Sequence, residues 1–318
     1  MKIVVIGGTG HIGSYMTPRL IEAGHTVLNI SRGLKSPYRQ HSAWKAIQNI
    51  LLDRDEEEAA GTFGEKVASL DANTIIDLTC YRPESAEQLV NAVQGKIEHL
   101  LHCGTIWIHG SSVEVPTTEE AVRTAFGDYG IRKLQIEQYL LSKARCEGLP
   151  ATILHPGHLV GTGWNPINPQ GNFNPSVFSN LAQGKNVALP NLGMETVHHV
   201  HADDVAQAFL CAIVRRSVSI GESFHVVSPA AITLRGFAER MTAWFGREAN
   251  LSFLPWNEWK STVTEKDERA TWDHIAHSPN CSIAKARKLL GYAPRYTSLQ
   301  VVQEAVTAMQ ANGTIVTA

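Results

Sequence analysis

Residues 2–13 constrain the fold of this chain more than any other stretch. Lys2–Ile6 is a short β-branched run of the kind that forms a buried parallel strand. It leads directly into Gly7-Gly8-Thr9-Gly10-His11-Ile12-Gly13, and residues 11–23 then carry helical spacing that stops at Gly24. Glycines at 7, 10 and 13 allow a tight turn, a close approach of backbone to a bound group, and tight packing of helix on strand. The helix start offers free N–H groups and the positive end of its dipole, which together hold a pyrophosphate. A glycine-rich stretch alone is weak evidence, and its place between a strand and a helix is what gives it meaning. Gly7, Thr9, Gly10, His11, Ile12 and Gly13 are therefore expected to contact a dinucleotide.

The same alternation continues. Strands are expected at residues 26–30, 46–52, 74–79, 99–103 and 151–155, with helices at 84–93 and about 121–146. Repeated strand–helix–strand units require right-handed crossovers, so the expected fold is α/β, a Rossmann-type doubly wound parallel sheet. After Pro156 the texture changes: residues 157–175 hold four glycines and three prolines, too many breakers for regular structure. Helices at about 176–183 and 202–214 and a strand at 223–227 follow. The expected division is a nucleotide-binding domain at 1–156, with returning segments at about 195–228. A smaller C-terminal substrate-binding lobe is expected from 157–194 and 229–318.

Composition excludes some partners. A net charge of −2 over 318 residues gives no electrostatic reason to bind nucleic acid or an anionic membrane. The five cysteines are scattered and never form a CxxC pair, which suits reduced thiols rather than a disulfide framework or structural zinc. The apolar run before Gly7 is too short for a signal peptide or a membrane span. A cytoplasmic chain is the expectation.

The coenzyme's identity is read at the end of the second strand, where NAD-binding proteins place an acidic residue for the ribose hydroxyls. Here stand Ser31 and Arg32, with Lys35 and Arg39 close by. A guanidinium can grip a 2′-phosphate and no carboxylate repels it, so NADP is favoured over NAD. Asp53 and Arg54 close the third strand. Asp53 is placed either to accept a bond from the adenine amino group or to cap the acidic helix that follows, and the two roles are compatible.

Tyr129-Gly130-Ile131-Arg132-Lys133 is YxxxK, whose ends share one helix face. Lys133 can then hold its ammonium near the Tyr129 hydroxyl and lower the phenol toward working pH. A second YxxxK, Tyr139 to Lys143, lies on the same helix, about 15 Å further along. One pair alone can face a given nicotinamide. Tyr129, nearer the helix start and Thr105, is the expected one, with Tyr139 and Lys143 as packing and surface residues.

Taken together, the glycine start, the hydroxyl residue in Gly104-Thr105-Ile106-Trp107-Ile108-His109-Gly110 and the YxxxK helix resemble an extended short-chain dehydrogenase/reductase. So do His155-Pro156-Gly157, Val200-His201-Ala202-Asp203-Asp204-Val205-Ala206 and the segment from Ala284 to Tyr292. The resemblance is to the NAD-dependent epimerase/dehydratase family and spans nearly the whole chain. It implies Tyr129 as general acid/base, Lys133 on the nicotinamide ribose, and Thr105 bonded to the reacting oxygen. Leu78, Thr79 and Cys80 would lie along the cofactor, although family members commonly have small residues at the first and last of these. His155 would touch cofactor or substrate, or anchor its loop. A homodimer through the Tyr129 helix and the helix before it is implied as well.

The substrate is less constrained. Many family members grip a nucleotide diphosphate with arginines in the C-terminal lobe, but residues 195–201 contain none, and Arg269 is the one candidate before the final helix. A diphosphate without such partners forfeits charge-assisted bonds. Tyr81, His158, Trp164, Asn172, His198 and His199 are the candidate substrate residues. The two adjacent histidines point to opposite faces of a strand, so one of them is expected in the pocket. His274 and His277 have no carboxylate or cysteine spacing to complete a metal site. The expected activity is NAD(P)-dependent hydride transfer at a secondary alcohol or ketone of a carbohydrate-like small molecule. The alternatives are a nucleotide-sugar epimerase/dehydratase, and a non-catalytic nucleotide-sensing or RNA-associated protein.

Overall fold

The structure is a computed structural model that describes residues 1–317. Its central sheet forms as the alternation requires. Strands β1 (Lys2–Ile6), β2 (Thr26–Ser31), β3 (Gln48–Leu51), β4 (Thr74–Asp77), β5 (His99–Cys103) and β6 (Ala151–Pro156) are joined by helices α1 (His11–Glu22), α2 (Arg54–Ala59), α3 (Phe63–Ala68), α4 (Pro83–Val93) and α5 (Gly127–Glu147). Next come β7 (His158–Val160), α6 (Ser176–Ala182), β8 (Val187–Pro190), β9 (Thr196–Val197), β10 (His199–His201), α7 (Ala202–Val214), α8 (Arg216–Ser219) and β11 (Ser223–Val226). The chain ends with β12 (Ile232–Thr233), α9 (Leu234–Trp244), β13 (Leu251–Leu254), α10 (Trp256–Trp259), α11 (Glu265–His277) and α12 (Ser298–Ala311).

Seven strands pair in the order β3-β2-β1-β4-β5-β6-β11, all parallel. The order turns outward in both directions from β1, and the crevice between the carboxyl ends of β1 and β4 is where such a sheet binds ligands. Both faces are covered. One apolar cluster packs Ile3, Val5, Met16 and Leu20 against Phe209 and Ala212 of α7. The other packs Val4, Ile6 and Phe63 against Leu89 of α4 and Ile136 of α5. Fully burying each large side chain contributes about 1.5–3 kcal/mol. A third cluster, of Phe178, Leu189, Phe237, Met241 and Val302, gathers the segments beyond Pro156.

Two expectations change. The long helix begins at Gly127 rather than at residue 121, because residues 118–126 are pinned elsewhere. The Thr124 amide and hydroxyl both donate to the His109 carbonyl, and Gly127 takes a positive φ of 69°. The breaker-rich stretch after Pro156 contains a strand after all: β7 pairs in parallel with β10 over three residues. Among the described residues no helix is long and apolar enough to cross a membrane.

Candidate active site

The glycine turn forms a cradle. Gly7 sits at φ 87°, where a side chain would be strained, and a Cβ there would lie 2.4 Å from Thr79 Cγ2. At Gly13 a Cβ would lie 2.2 Å from the Gly8 carbonyl oxygen, so helix and turn close only on glycine. The Asn29 amide oxygen accepts the Gly8 N–H at 2.9 Å, and its nitrogen donates to Asn49, tying the turn to β2 and β3. No side chain caps α1, and the first amide to bond back into it is that of Ser14, to the Gly10 carbonyl. The N–H groups of residues 11–13 are therefore free to meet an anion. A cleft of about 350 Å³ opens beside them, lined by Gly7, Thr9, Gly10, Ser31, Arg32 and Lys35, with Asp53, Arg54 and Thr79 below.

Several expected cofactor contacts have other partners. Asp53 accepts the Asp55 and Glu56 amides, so it caps α2 while facing the cleft. Arg54 is half-buried and donates to both Asp77 oxygens at 2.8 and 3.0 Å. Burial works against its charge, and Asp77 outweighs burial and holds the guanidinium above its ordinary value. Cys80 turns its side chain into the core, where burial pushes the thiol up to about 12, so only its backbone reaches the site. The His11 side chain points away from the cleft and stacks on Trp164, with ring centroids 4.8 Å apart.

A second cleft, of about 380 Å³, holds Thr105, Tyr129 and Lys133, with Ile12 and Leu78 in its wall. Tyr81 lines both clefts and marks their junction. Lys133 is 2 % exposed, and its ammonium donates to the Cys80 carbonyl at 2.7 Å and the Cys103 carbonyl at 2.6 Å. It also lies 4.8 Å from the centre of the Tyr81 ring. Lys133 makes no hydrogen bond to the Tyr129 hydroxyl among the described residues. The carbonyls of Cys80, in the segment after β4, and of Cys103, at the end of β5, hold the ammonium, and burial lowers its pKa. The Tyr129 phenol is desolvated although the residue as a whole is 43 % exposed. Burial pushes it well above its ordinary value, and the neighbouring Thr105 side chain opposes that.

Thr105 is held from behind. Its N–H donates to His155 Nδ1 at 3.0 Å, His155 Nε2 meets Glu137 Oε1 at 2.9 Å, and Arg123 Nε donates to Glu137 Oε2 at 2.6 Å. Accepting the Thr105 amide leaves the His155 proton on Nε2. Burial disfavours the Glu137 carboxylate, yet His155 and Arg123 outweigh it and hold the group well below the usual range. Gly104 leaves room for this chain, since a Cβ there would sit 2.2 Å from His155 Nδ1. His155 is fully buried and does not touch the cleft, so it anchors the loop and is no cofactor contact. Glu137 follows Lys133 by four residues on the same helix face, a spacing that could have revealed it.

The candidate substrate residues divide. Tyr81, His158 and Trp164 line the second cleft. Asn172, His198 and His199 are fully buried behind it. Asn172 donates to Thr271, while His198 bonds the Ser228 carbonyl and accepts the Cys281 amide. The histidine pair therefore supplies neither member to the pocket, because β10 is covered on both sides. Trp107, Phe173 and Asp273 line the cleft and were not singled out from sequence, and His274, considered there with His277 as a metal pair, lines it as well. Among the described residues no group of three or more histidine, cysteine or acidic side chains is arranged to hold a metal ion.

Known proteins are similar to this chain in sequence and fold. The family described as NAD dependent epimerase/dehydratase matches residues 3–226. The 2'-dehydrokanamycin reductase of Streptomyces kanamyceticus is 24 % identical over 86 % of this chain and 76 % of its own. The chloroplast stem-loop binding protein of 41 kDa b from Arabidopsis thaliana is also 24 % identical, over 93 % of this chain and 75 % of its own. The crystal structure of UDP-glucose 4-epimerase from Thermotoga maritima, with UDP-glucose, superposes with a TM-score of 0.74 at 20 % identity, covering 98 % of this chain and 99 % of that one.

Proposed function

Because this chain belongs to the NAD dependent epimerase/dehydratase family of enzymes, we propose that it moves a hydride between NADP and a secondary alcohol or ketone of a carbohydrate-like substrate. The observation that carries this reading is the convergence of Thr105, Tyr129 and Lys133 on one cleft, continuous through Tyr81 with the glycine cradle. The cradle fits a dinucleotide: its free helix amides face an anion, and side chains at Gly7 or Gly13 would fill it. Bound there, the coenzyme supplies the hydride carrier. Tyr129 gives or takes the proton at its phenol oxygen, and the Thr105 hydroxyl bonds the reacting oxygen. An ammonium has three donors, and Lys133 has two committed to carbonyls, so one remains for a ribose hydroxyl. Whether the keto product leaves or turns over and is reduced again separates net redox from epimerisation. The same proposal includes a cytoplasmic homodimer through α4 and α5, and the division into a coenzyme part, 1–156 with returning segments at about 195–228, and a substrate part from 157–194 and 229–318.

Arg32 and Lys35 in the wall of the nucleotide cleft support NADP. Arg32→Ala removes one charge-assisted phosphate bond, so NADPH affinity is expected to fall about tenfold while NADH affinity stays within about twofold. Equilibrium titration of both coenzymes checks this, and tighter binding of NADH by the unmodified protein would refute it. Turnover is tested with both coenzymes on keto-sugars and glycosides. The non-catalytic reading has the name of the Arabidopsis relative in its favour. RNA retention with no coenzyme turnover on any sugar would select it.

A further inference from the structure

The cleft around Tyr129 has a charge pattern suited to one kind of sugar. Most of its wall is aromatic or neutral, with Trp107, Trp164, Phe173 and Tyr81 beside His158 and His274. Burial pushes both imidazoles down, His274 to about 4, so neither offers positive charge near neutral pH. Two lining residues are charged, Lys133 and Asp273. The Lys133 ammonium is already held by two carbonyls. Asp273, near the end of α11, makes no ion pair or side-chain hydrogen bond among the described residues. It is an exposed residue whose partial burial raises the carboxyl, with His277 pulling it the other way.

No arginine lines the cleft. Arg269, the candidate on α11, is directed into solvent and pairs with Glu265 one turn earlier. A diphosphate entering this cleft would find no guanidinium and would approach an unneutralised carboxylate. An ammonium would find that carboxylate together with several ring faces, which attract cations. The Trp107 ring connects the two ends of the site, with its centre 6.0 Å from that of Tyr129 and 5.4 Å from that of His274, the neighbour of Asp273.

We propose that the substrate is a glycoside bearing an amino group and no phosphate, with Asp273 receiving the amino group and the aromatic wall packing the sugar. This rests on the reading of Tyr129 as the reacting centre. Asp273 lines the cleft without an ion pair or a side-chain hydrogen bond of its own among the described residues, so its carboxylate is free to take such a ligand.

The test is binding to the coenzyme-loaded protein, followed by tryptophan fluorescence, with methyl glucosaminide, methyl glucoside and UDP-glucose as probes. The glucosaminide is expected to bind about tenfold more tightly than the glucoside, with UDP-glucose weakest. In Asp273→Asn that advantage should shrink to less than about threefold, and in the unmodified protein it should fade as pH rises and the amine loses its proton. Equal affinities, no binding of any probe, preference for UDP-glucose, or an advantage that survives Asp273→Asn would each overturn the proposal. Turnover of the same probes by Tyr129→Phe is measured in parallel. Unchanged turnover there overturns the assignment of the reacting centre and leaves the binding result to be judged on its own.

Discussion

Tyr129→Phe is expected to lower kcat by about 10³-fold while changing the coenzyme Kd by less than about threefold. The substitution removes one oxygen from a ring that stays in place against Trp107, so the cleft keeps its shape. What is lost is the proton at the reacting oxygen. The pH dependence carries a sign that follows from the environment. Burial holds the free phenol above its ordinary value, so it stays protonated and able to donate throughout the neutral and mildly alkaline range. In the reductive direction kcat/KM should show no alkaline loss from this group below about pH 9. In the oxidative direction, where the free group must lose its proton, the rate should climb with pH over the same range. Steady-state pH profiles in both directions check this. A reductive rate that collapses between pH 7 and 8 would place the proton on another residue.

Lys133→Met is expected to cost about 100-fold in kcat/KM and yet leave the melting temperature of the coenzyme-free protein unchanged or higher. The reason lies in a charge that the fold does not welcome. Burial lowers the lysine's pKa, so folding disfavours the charged form. That penalty is fully present below the folded pKa and is relieved as pH rises toward the unfolded value. Methionine removes it while filling similar volume. The carbonyls of Cys80 and Cys103 lose their donor, but Cys103 and Lys133 line an open cleft where water can replace the ammonium. A residue that acts in chemistry at the expense of stability gives this combination, and a structural strut does not. A fall of several degrees in calorimetry would show that the lysine is there to hold β4 and β5 together.

Features set by local spacing were readable in advance. Lys2–Ile6 and the glycines after it declared a strand, a turn and a helix start because each depends on residues within a few positions. The parallel sheet followed from right-handed crossovers, and seven strands form it. Thr105, Tyr129 and Lys133 could be named because a strand end and one helix face bring them to a common cleft. What escaped depends on which way a side chain turns. His155 was open between cofactor contact and loop anchor, and one of His198 and His199 was expected in the pocket, but the burial of all three depends on packing that their own segments do not reveal. Lys133 was read with Tyr129 by helix spacing, and the two carbonyls that hold it, of Cys80 after β4 and of Cys103 at the end of β5, lie far away in sequence and gave no local signal. The three-residue β7 is too short to show periodicity and exists through its pairing with β10. Asp273 carried no signal, since its meaning lies in the charges that the surrounding cleft lacks.

The account is tested most directly by following the label in a single turnover of the unmodified protein, with deuterium at C4 of NADPH and a keto-glycoside as acceptor. Deuterium on the new carbinol carbon, with transfer about 10³-fold slower in Tyr129→Phe, is the predicted result. Label that stays on the coenzyme, or transfer at equal rates in the two proteins, would contradict it.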